Sequence, residues 1–301
     1  MKYFSDQEKG SKTRDKEYIP PNVWGGIVAI IQGQVSSGAF GEHFPEICPD
    51  GAGPIGTDER AFKLAITAEI PDIQWPLKTT RSDGDGWGAQ EKPFSPDYLT
   101  VLDLIQFCYE HVAKPIQGSY HSYFQHHHLS FDKKAGQIEF LQKVNRIFGR
   151  NGISYELKET GNIIRLAPPI LDDVLHSAKF QTKDSTINKM LEEARLKFLN
   201  PDVAIRRESL ERLWDAWERI KSVNNPTNKK TSVSELLDNC ASEPKFRELL
   251  ETDARSVTNI GNSFQIRHSE VNQTPIERSG HIDYLFHRLI GLILLVIKEM
   301  S

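Results

Sequence analysis

Hydrophobic positions recur at helical spacing along most of the chain. Val23, Ile27 and Ile31 form one such stripe, and Val101 and Leu104 belong to another. This spacing places apolar side chains on one face of an α-helix. The same pattern predicts helices over residues 137–150, 186–199, 204–223 and 280–300. We therefore expect a mainly α fold.

One segment alternates with the period of a strand. Ile153, Tyr155 and Leu157 alternate with polar residues, a turn follows at Thr160-Gly161-Asn162, and residues 163–166 continue as a second apolar run. Alternation on both sides of a turn is typical of a β-hairpin. We predict a single hairpin at the end of an α-helical N-terminal region, followed by a helical bundle.

Changes in composition predict the domain organisation. Charged residues outnumber apolar ones in residues 1–22, which predicts a flexible arm ending near Pro20-Pro21. The N-terminal domain is expected over residues 23–170, because Pro168-Pro169 interrupts the chain after the hairpin. The C-terminal helical domain is expected over residues 171–301.

Charge and cysteine content exclude some kinds of site. The formal net charge is -4, so any contact with nucleic acid must depend on a local basic patch. The three cysteines, Cys48, Cys108 and Cys240, are far apart in the sequence. Their spacing is typical of buried thiols in a reducing compartment and not of a disulfide framework.

Hydropathy predicts a cytoplasmic protein that does not enter the membrane. The N-terminus lacks the apolar segment of a secretory signal. The longest apolar run, from Leu289 to Val296, contains Gly291 and is much shorter than the roughly 20 residues of a membrane span.

Candidate phosphate chemistry lies at the predicted end of a C-terminal helix. Arg267 and His268 are followed by Glu270 and a polar loop with Pro275. A guanidinium binds phosphate oxygens in a planar fork, and an imidazole transfers protons near neutral pH. The alternative is a helix end stabilised by cationic side chains through the helix dipole.

Two further histidines lie on the helix that follows this loop. His287 is six residues after His281, so the pair lacks the i, i+4 spacing that places two ligands together. His287 either belongs to the same site or is a hydrogen-bonded histidine of an apolar helix.

A run of histidines raises the possibility of a metal site. In an extended segment, His126 and His128 point to the same side, and His121 precedes them by five residues. Asp132 is a further candidate ligand. The segment lacks H-E-x-x-H and the usual zinc spacing, so a structural polar network is the favoured interpretation.

Two other features favour ordinary structural roles. The glycine-rich loop at residues 51–56 lacks the Lys and Ser/Thr of a phosphate-binding loop. Trp214 and Trp217 can stack on bases, but their spacing within an apolar stripe is typical of a helical core.

Several segments together resemble the AbiJ-like abortive-infection proteins with a C-terminal HEPN-type domain. The C-terminal segments are RRESLERLWDAWERIKS, IGNSFQIRHSE and DYLFHRL, and the N-terminal ones include LDLIQFCYEHV, HHHLSF and VNRIFGRNGISYEL. They cover most of residues 23–297.

The resemblance implies an antiphage or toxin-type endoribonuclease. HEPN ribonucleases cleave RNA without metal: the 2′-OH attacks the neighbouring phosphorus, His acts as acid or base, and Arg stabilises the charged phosphorane. We expect no cofactor, a homodimer, RNA (including tRNA) as substrate, and a phage-derived trigger or neutralising partner acting through the N-terminal region. The implied catalytic residues are Arg267, His268, Glu270 and His287. The implied substrate-binding residues are Asn262, Gln273 and Arg288.

The sequence departs from the family's R-x(4–6)-H motif. Counting from Arg267, positions 272–274 are Asn, Gln and Thr. This difference leaves a second hypothesis, a non-catalytic RNA-binding, nucleotide-binding or dimerisation module of a defence system. A third is a metal-dependent hydrolase that uses His121, His126 and His128.

Overall fold

The structure is a computed structural model. It describes residues 3–10, 12–83, 90–168, 171, 175, 177–266 and 273–300. Helices dominate these ranges, which confirms the predicted mainly α class. Contacts between residues divide the chain into two units between Leu166 and Ala167. Each unit has its own cluster of buried apolar side chains.

Three helices of the N-terminal unit begin at a side-chain cap. Asp58, Asp97 and Asp132 each accept hydrogen bonds from backbone N–H groups of the first turn that follows. Gly152, with φ of 72°, ends the last helix in the left-handed conformation. The helices are Phe4–Lys9 (α1), Pro21–Ser36 (α2), Glu59–Glu69 (α3), Tyr98–His111 (α4) and Lys133–Asn151 (α5).

The core of the N-terminal unit is formed by the predicted apolar stripes. Ile27 of α2, Leu104 of α4 and Phe140 of α5 are fully buried. Phe40 and Phe62 stack with their ring centroids 4.3 Å apart in the same cluster. Burial of these faces, at roughly 25 cal/mol per Å² of apolar surface, holds the helices together.

Short antiparallel ladders connect these helices. The predicted hairpin is confirmed, with Tyr155 paired to Arg165. The sequence did not predict the other three ladders, because their strands lack a clear apolar alternation. The pairs are Pro45–Ile47 (β1) with Pro54–Thr57 (β2), Thr80–Asp83 (β3) with Gln90–Pro93 (β4), Lys114–His121 (β5) with His126–Asp132 (β6), and Tyr155–Leu157 (β7) with Ile163–Arg165 (β8).

Part of the N-terminal segment contacts the last hairpin. Lys16 forms a parallel bridge with Ile153, and Arg14 Nε donates a hydrogen bond to the Ile153 carbonyl at 2.8 Å. Tyr155 Oη donates to the Glu17 carbonyl at 2.8 Å. These residues, which the sequence assigned to a flexible arm, lie beside β7 in the structure.

Helices dominate the described part of the C-terminal unit, which also contains an isolated β-bridge between Phe264 and Thr274. Asp184, Asp202 and Asn228 cap its first three long helices through their side-chain oxygens. The helices are Ser185–Phe198 (α6), Val203–Ile220 (α7), Lys229–Cys240 (α8), Pro244–Ser263 (α9) and Ser279–Glu299 (α10).

Aromatic side chains fill the core of the C-terminal unit. Trp214 and Trp217 of α7 are each 1% exposed, which confirms their predicted core role. Phe198 of α6 stacks on Phe286 of α10, with centroids 4.0 Å apart. Trp214 Nε1 donates to the Val257 carbonyl at 2.9 Å, so the indole dipole is satisfied inside the core.

Helix α10 is long and apolar enough to cross a membrane by length and composition. Half of its most apolar window is nevertheless buried inside the protein. Leu289 and Ile293 on this helix are fully buried within the C-terminal core. The core helices of soluble proteins share these properties, so burial favours a core helix over a membrane span.

Candidate functional site

Three of the predicted catalytic residues, Arg267, His268 and Glu270, lie outside the residues that the structure describes. Backbone hydrogen bonds join the described residues before and after them at the end of α9. Gln265 N donates to the Thr274 carbonyl at 3.0 Å, and Thr274 N donates to the Ser263 carbonyl at 3.1 Å. These hydrogen bonds place Thr274 beside the end of α9.

The predicted substrate-binding residues occupy two positions. Gln273 Nε2 donates to the backbone carbonyl of Asn262 at 3.1 Å, so these two residues are neighbours. Arg288 lies on α10, where its Nη2 donates to Ser256 Oγ at 2.9 Å and lies 3.9 Å from an Asp253 carboxylate oxygen. Arg288 thus also links α10 to α9.

His281 and His287 are both exposed on α10, and their six-residue separation places them about 120° apart around the helix axis. Tyr284 lies three residues from each of them and is 61% exposed. At 3.6 residues per turn, Arg288 adjoins Tyr284 on the same side of the helix. This α10 stripe, defined as His281, Tyr284, His287 and Arg288, combines an aromatic ring, imidazoles and a guanidinium. Such groups stack on bases and bind phosphates.

The histidines of the N-terminal unit come together on the β5–β6 hairpin. His121 and His126 are directly paired across the ladder, and His128 follows two residues after His126 on β6. Because side chains alternate along a strand, His126 and His128 point to the same side. The ring centroids of these three histidines are 5.6 Å apart in every pair.

A cysteine from the β1–β2 hairpin completes this group. Cys48 directly follows β1, and it is 2% exposed. Its N–H donates to the Gly53 carbonyl at 2.9 Å, which closes a tight loop. Gly51 and Gly53 have φ of 78° and 139°, values that favour glycine. The glycine-rich loop therefore positions Cys48.

The polar atoms of these side chains converge. Cys48 Sγ lies 3.1 Å from His126 Nε2 and 3.5 Å from His121 Nδ1. One ligand atom from each of Cys48, His121, His126 and His128 lies within 4.8 Å of the others. We call these four residues the Cys-His cluster.

Asp50 lies beside Cys48, and the two side chains shift each other's pKa. Burial raises the pKa of the Cys48 thiol, and the hydrogen bond to Asp50 raises it further. The same hydrogen bond lowers the pKa of the Asp50 carboxyl, as does the N–H of Ala52. Asp50 Oδ2 also lies 3.3 Å from His121 Nδ1. A carboxylate therefore borders the cluster.

Two other residues of the histidine-rich segment serve different roles. His127 faces away from the cluster: its Nδ1 is 3.1 Å from the Gly118 carbonyl, and its ring packs on Tyr120. Asp132 caps α5, accepting a hydrogen bond from Ala135 N at 2.9 Å. Asp132 therefore does not join the three histidines.

Cys48 was missed by the sequence analysis, which treated all the cysteines as structurally idle. It precedes His121 by 73 residues, so no local spacing connects them. The pairing of each hairpin and the packing of β2 beside β6 bring the residues together. The one local signal is the C-P-D-G turn, which is common in hairpin loops without a ligand.

A comparison with family models identifies the N-terminal part of the chain. Residues 2–181 match the model described as AbiJ N-terminal domain 4. The chain belongs to this AbiJ family. The match covers the whole N-terminal unit, including the Cys-His cluster, and associates the protein with abortive-infection defence. Neither a curated protein nor a solved structure matches the chain. The HEPN resemblance of the C-terminal helices stays a prediction.

Proposed function

We propose that this protein is an effector of abortive-infection defence whose C-terminal unit cleaves RNA. Membership of the AbiJ family supports the defence role. The single observation that supports action on RNA is the α10 stripe, where Tyr284, His281 and His287 are exposed together. The helix bearing this stripe begins at Ser279, after Arg267 and His268 in the sequence.

The α10 stripe has the chemistry needed to hold a single strand of RNA. An exposed tyrosine offers a stacking surface that accepts any base, worth about 1–3 kcal/mol per base. Arg288 is anchored to Ser256 at 2.9 Å, which limits the side-chain entropy lost when it meets a phosphate. Sequence-tolerant contacts of this kind suit an enzyme that cuts cellular RNA broadly, tRNA included.

The proposed cleavage uses only side chains of this chain. A histidine, His268 or His287, accepts the proton of the RNA 2′-OH as that oxygen attacks the adjacent phosphorus. Arg267 stabilises the negative charge of the phosphorane, and a protonated histidine delivers a proton to the departing 5′-oxygen. Glu270 holds the catalytic histidine in position. The products are a 2′,3′-cyclic phosphate and a 5′-hydroxyl.

A chain with a net charge of -4 has no overall attraction for RNA, and dimerisation supplies the local positive charge that RNA binding needs. Two copies that place their α10 stripes along one cleft double the local density of imidazole and guanidinium groups where the RNA lies. The enzyme acts in the cytoplasm as a homodimer, and its N-terminal unit restrains it until a phage-derived trigger or a lost neutralising partner releases it.

The test is incubation of the purified full chain with total cellular RNA, without magnesium or manganese. We expect discrete cleavage by the wild type, loss of more than about 100-fold in rate for Arg267→Ala/His268→Ala, and a smaller loss for His287→Ala. Lys298→Ala is the matched control, because Lys298 is an exposed cation near the other end of α10. Equal cleavage by wild type and the Arg267/His268 variant would refute the proposed site.

A second measurement, of RNA binding, distinguishes a ribonuclease from a binding module. The missing histidine at positions 272–274 favours the non-catalytic alternative, in which the C-terminal unit binds RNA or dimerises for a partner. Retention of intact RNA by the wild type, weakened by Tyr284→Ala and not by Lys298→Ala, would replace the ribonuclease with a binding module. If the purified protein requires a phage-derived trigger, the same variants are compared by expressing them in phage-infected cells and examining the cellular RNA.

A further inference from the structure

We propose that Cys48, His121, His126 and His128 bind one Zn²⁺ ion in a tetrahedral site within the N-terminal unit. The observation behind this proposal is the convergence of one thiol and three imidazole nitrogens within 4.8 Å of one another. The proposal is independent of the RNA-directed function, since the residues belong to a different unit from α10.

The distances agree with those of a tetrahedral zinc centre. Bonds of about 2.3 Å to sulfur and 2.0–2.1 Å to nitrogen place neighbouring ligand atoms about 3.3–3.6 Å apart. Cys48 Sγ lies 3.1 Å from His126 Nε2 and 3.5 Å from His121 Nδ1. The remaining pairs stay within 4.8 Å, so small side-chain rotations complete the tetrahedron.

Hydrogen bonds within the Cys-His cluster do not give every one of its four side chains a partner. The Cys48 thiol has one proton, so it can donate to only one of its neighbours, Asp50 or an imidazole. His128 Nε2, however, is buried and has no hydrogen-bond partner among the residues that the structure describes. A buried polar atom without a partner is unfavourable. A metal ion at the centre of the cluster gives this nitrogen a ligand bond.

The donor set selects the type of metal. Thiolate and imidazole suit zinc, whereas calcium and magnesium prefer oxygen. When zinc binds, the Cys48 thiol releases its proton to solvent and its sulfur forms the metal bond. The Asp50 carboxylate, 3.3 Å from His121 Nδ1, adds negative charge beside the ion. Ser119 Oγ, 3.5 Å from His128 Nδ1, is positioned to orient that ring.

Four protein ligands fill a tetrahedral site, so the role of the ion is structural. Cys48 comes from the β1–β2 hairpin, and the three histidines come from the β5–β6 hairpin. The ion therefore joins two ladders that are each only two strands wide. Hairpins of this size have marginal stability by themselves, and a shared metal ion holds both in one arrangement.

The experiment uses the whole 301-residue chain, stripped with a chelator and then titrated with Zn²⁺ under reducing conditions. We expect one Zn²⁺ per chain for the wild type, and a rise in melting temperature on zinc addition. Cys48→Ser and His128→Ala should each lower zinc affinity by more than about 100-fold and abolish the zinc-dependent rise. His127→Ala is the matched control: it removes the histidine between two proposed ligands, but its side chain faces away.

Cobalt substitution keeps the test decisive if a variant fails to fold. Co²⁺ in the wild-type site should show an intense thiolate charge-transfer band and the visible spectrum of a tetrahedral ion. A wild-type protein that binds neither metal stoichiometrically would overturn the proposal. So would a cobalt spectrum without thiolate character, or zinc affinity in Cys48→Ser and His128→Ala equal to that of His127→Ala.

Discussion

Gly136 of α5 lies directly against the backbone of Lys114 at the start of β5. A Cβ atom added to Gly136 would lie 2.4 Å from Lys114 N and 2.5 Å from the carbonyl carbon of Ala113. Real Cβ atoms do not approach backbone atoms so closely. The missing side chain therefore permits the first turn of α5 to pack on the strand that leads to His121.

A larger residue at Gly136 should push the first turn of α5 away from the start of β5. We expect Gly136→Ala to lower the free energy of unfolding by about 2–3 kcal/mol, because backbone atoms, unlike the ends of side chains, cannot move aside cheaply. Gly149→Ala is the control on the same helix, where an added Cβ meets nothing within 4 Å. It should be neutral or stabilising by up to about 1 kcal/mol. Urea unfolding of both variants measures the difference, and equal effects would contradict the packing argument.

Arg206 should be important for the stability of the C-terminal unit. Its side chain is fully buried, and its Nη2 donates to Ser279 Oγ at 2.8 Å at the start of α10. Arg206→Met should cost about 2–3 kcal/mol, since buried hydrogen bonds from a charged group are lost. Arg207→Met, at the exposed neighbouring position, should change stability by less than about 0.5 kcal/mol. Thermal unfolding compares them; a stable Arg206→Met protein would show that the buried guanidinium contributes little.

Glu218 should make the stability of the C-terminal unit depend on pH. Burial raises the pKa of its carboxyl, but hydrogen bonds from Lys221, at 2.6 Å, and Lys229 outweigh burial and leave the pKa below its ordinary value. A lowered pKa stabilises the fold above the unfolded value of about 4.3, and this stabilisation is lost as pH falls through the folded value.

Glu218→Gln should therefore destabilise the protein by about 1–2 kcal/mol at pH 7 and by progressively less below about pH 4.3. Denaturant unfolding across this pH range measures the change. Glu211→Gln is the control, because Glu211 is exposed on the same helix. A difference between wild type and Glu218→Gln that stays constant down to acid pH would contradict the assignment.

The N-terminal unit should fold by itself. Its core, which includes Trp24, Leu104 and Phe148, consists of residues from this unit alone. Residues 1–168 expressed separately should show a cooperative thermal transition and dispersed amide resonances, because burial within one unit drives its folding. A broad, non-cooperative transition would indicate that the C-terminal unit is required.

The sequence predicted the elements whose signals are local. The stripe through Ile27 and Ile31 and the helix predicted over residues 137–150 each depend on residues within a few turns of one another. The β7–β8 hairpin was also predictable, because Tyr155 and Leu157 alternate before a Gly-containing turn. The polar ladders, such as β3–β4, have no such apolar alternation and were not predicted.

The sequence by itself determined the helical class and the core role of Trp214 and Trp217, and it predicted that His126 and His128 point to one side of an extended segment. It did so because helical periodicity and strand alternation are properties of neighbouring residues. Only the tertiary structure placed Cys48 beside His126, or set Gly136 against Lys114. Those contacts join residues that are distant in sequence, and chain packing, which no local pattern encodes, determines which distant residues meet.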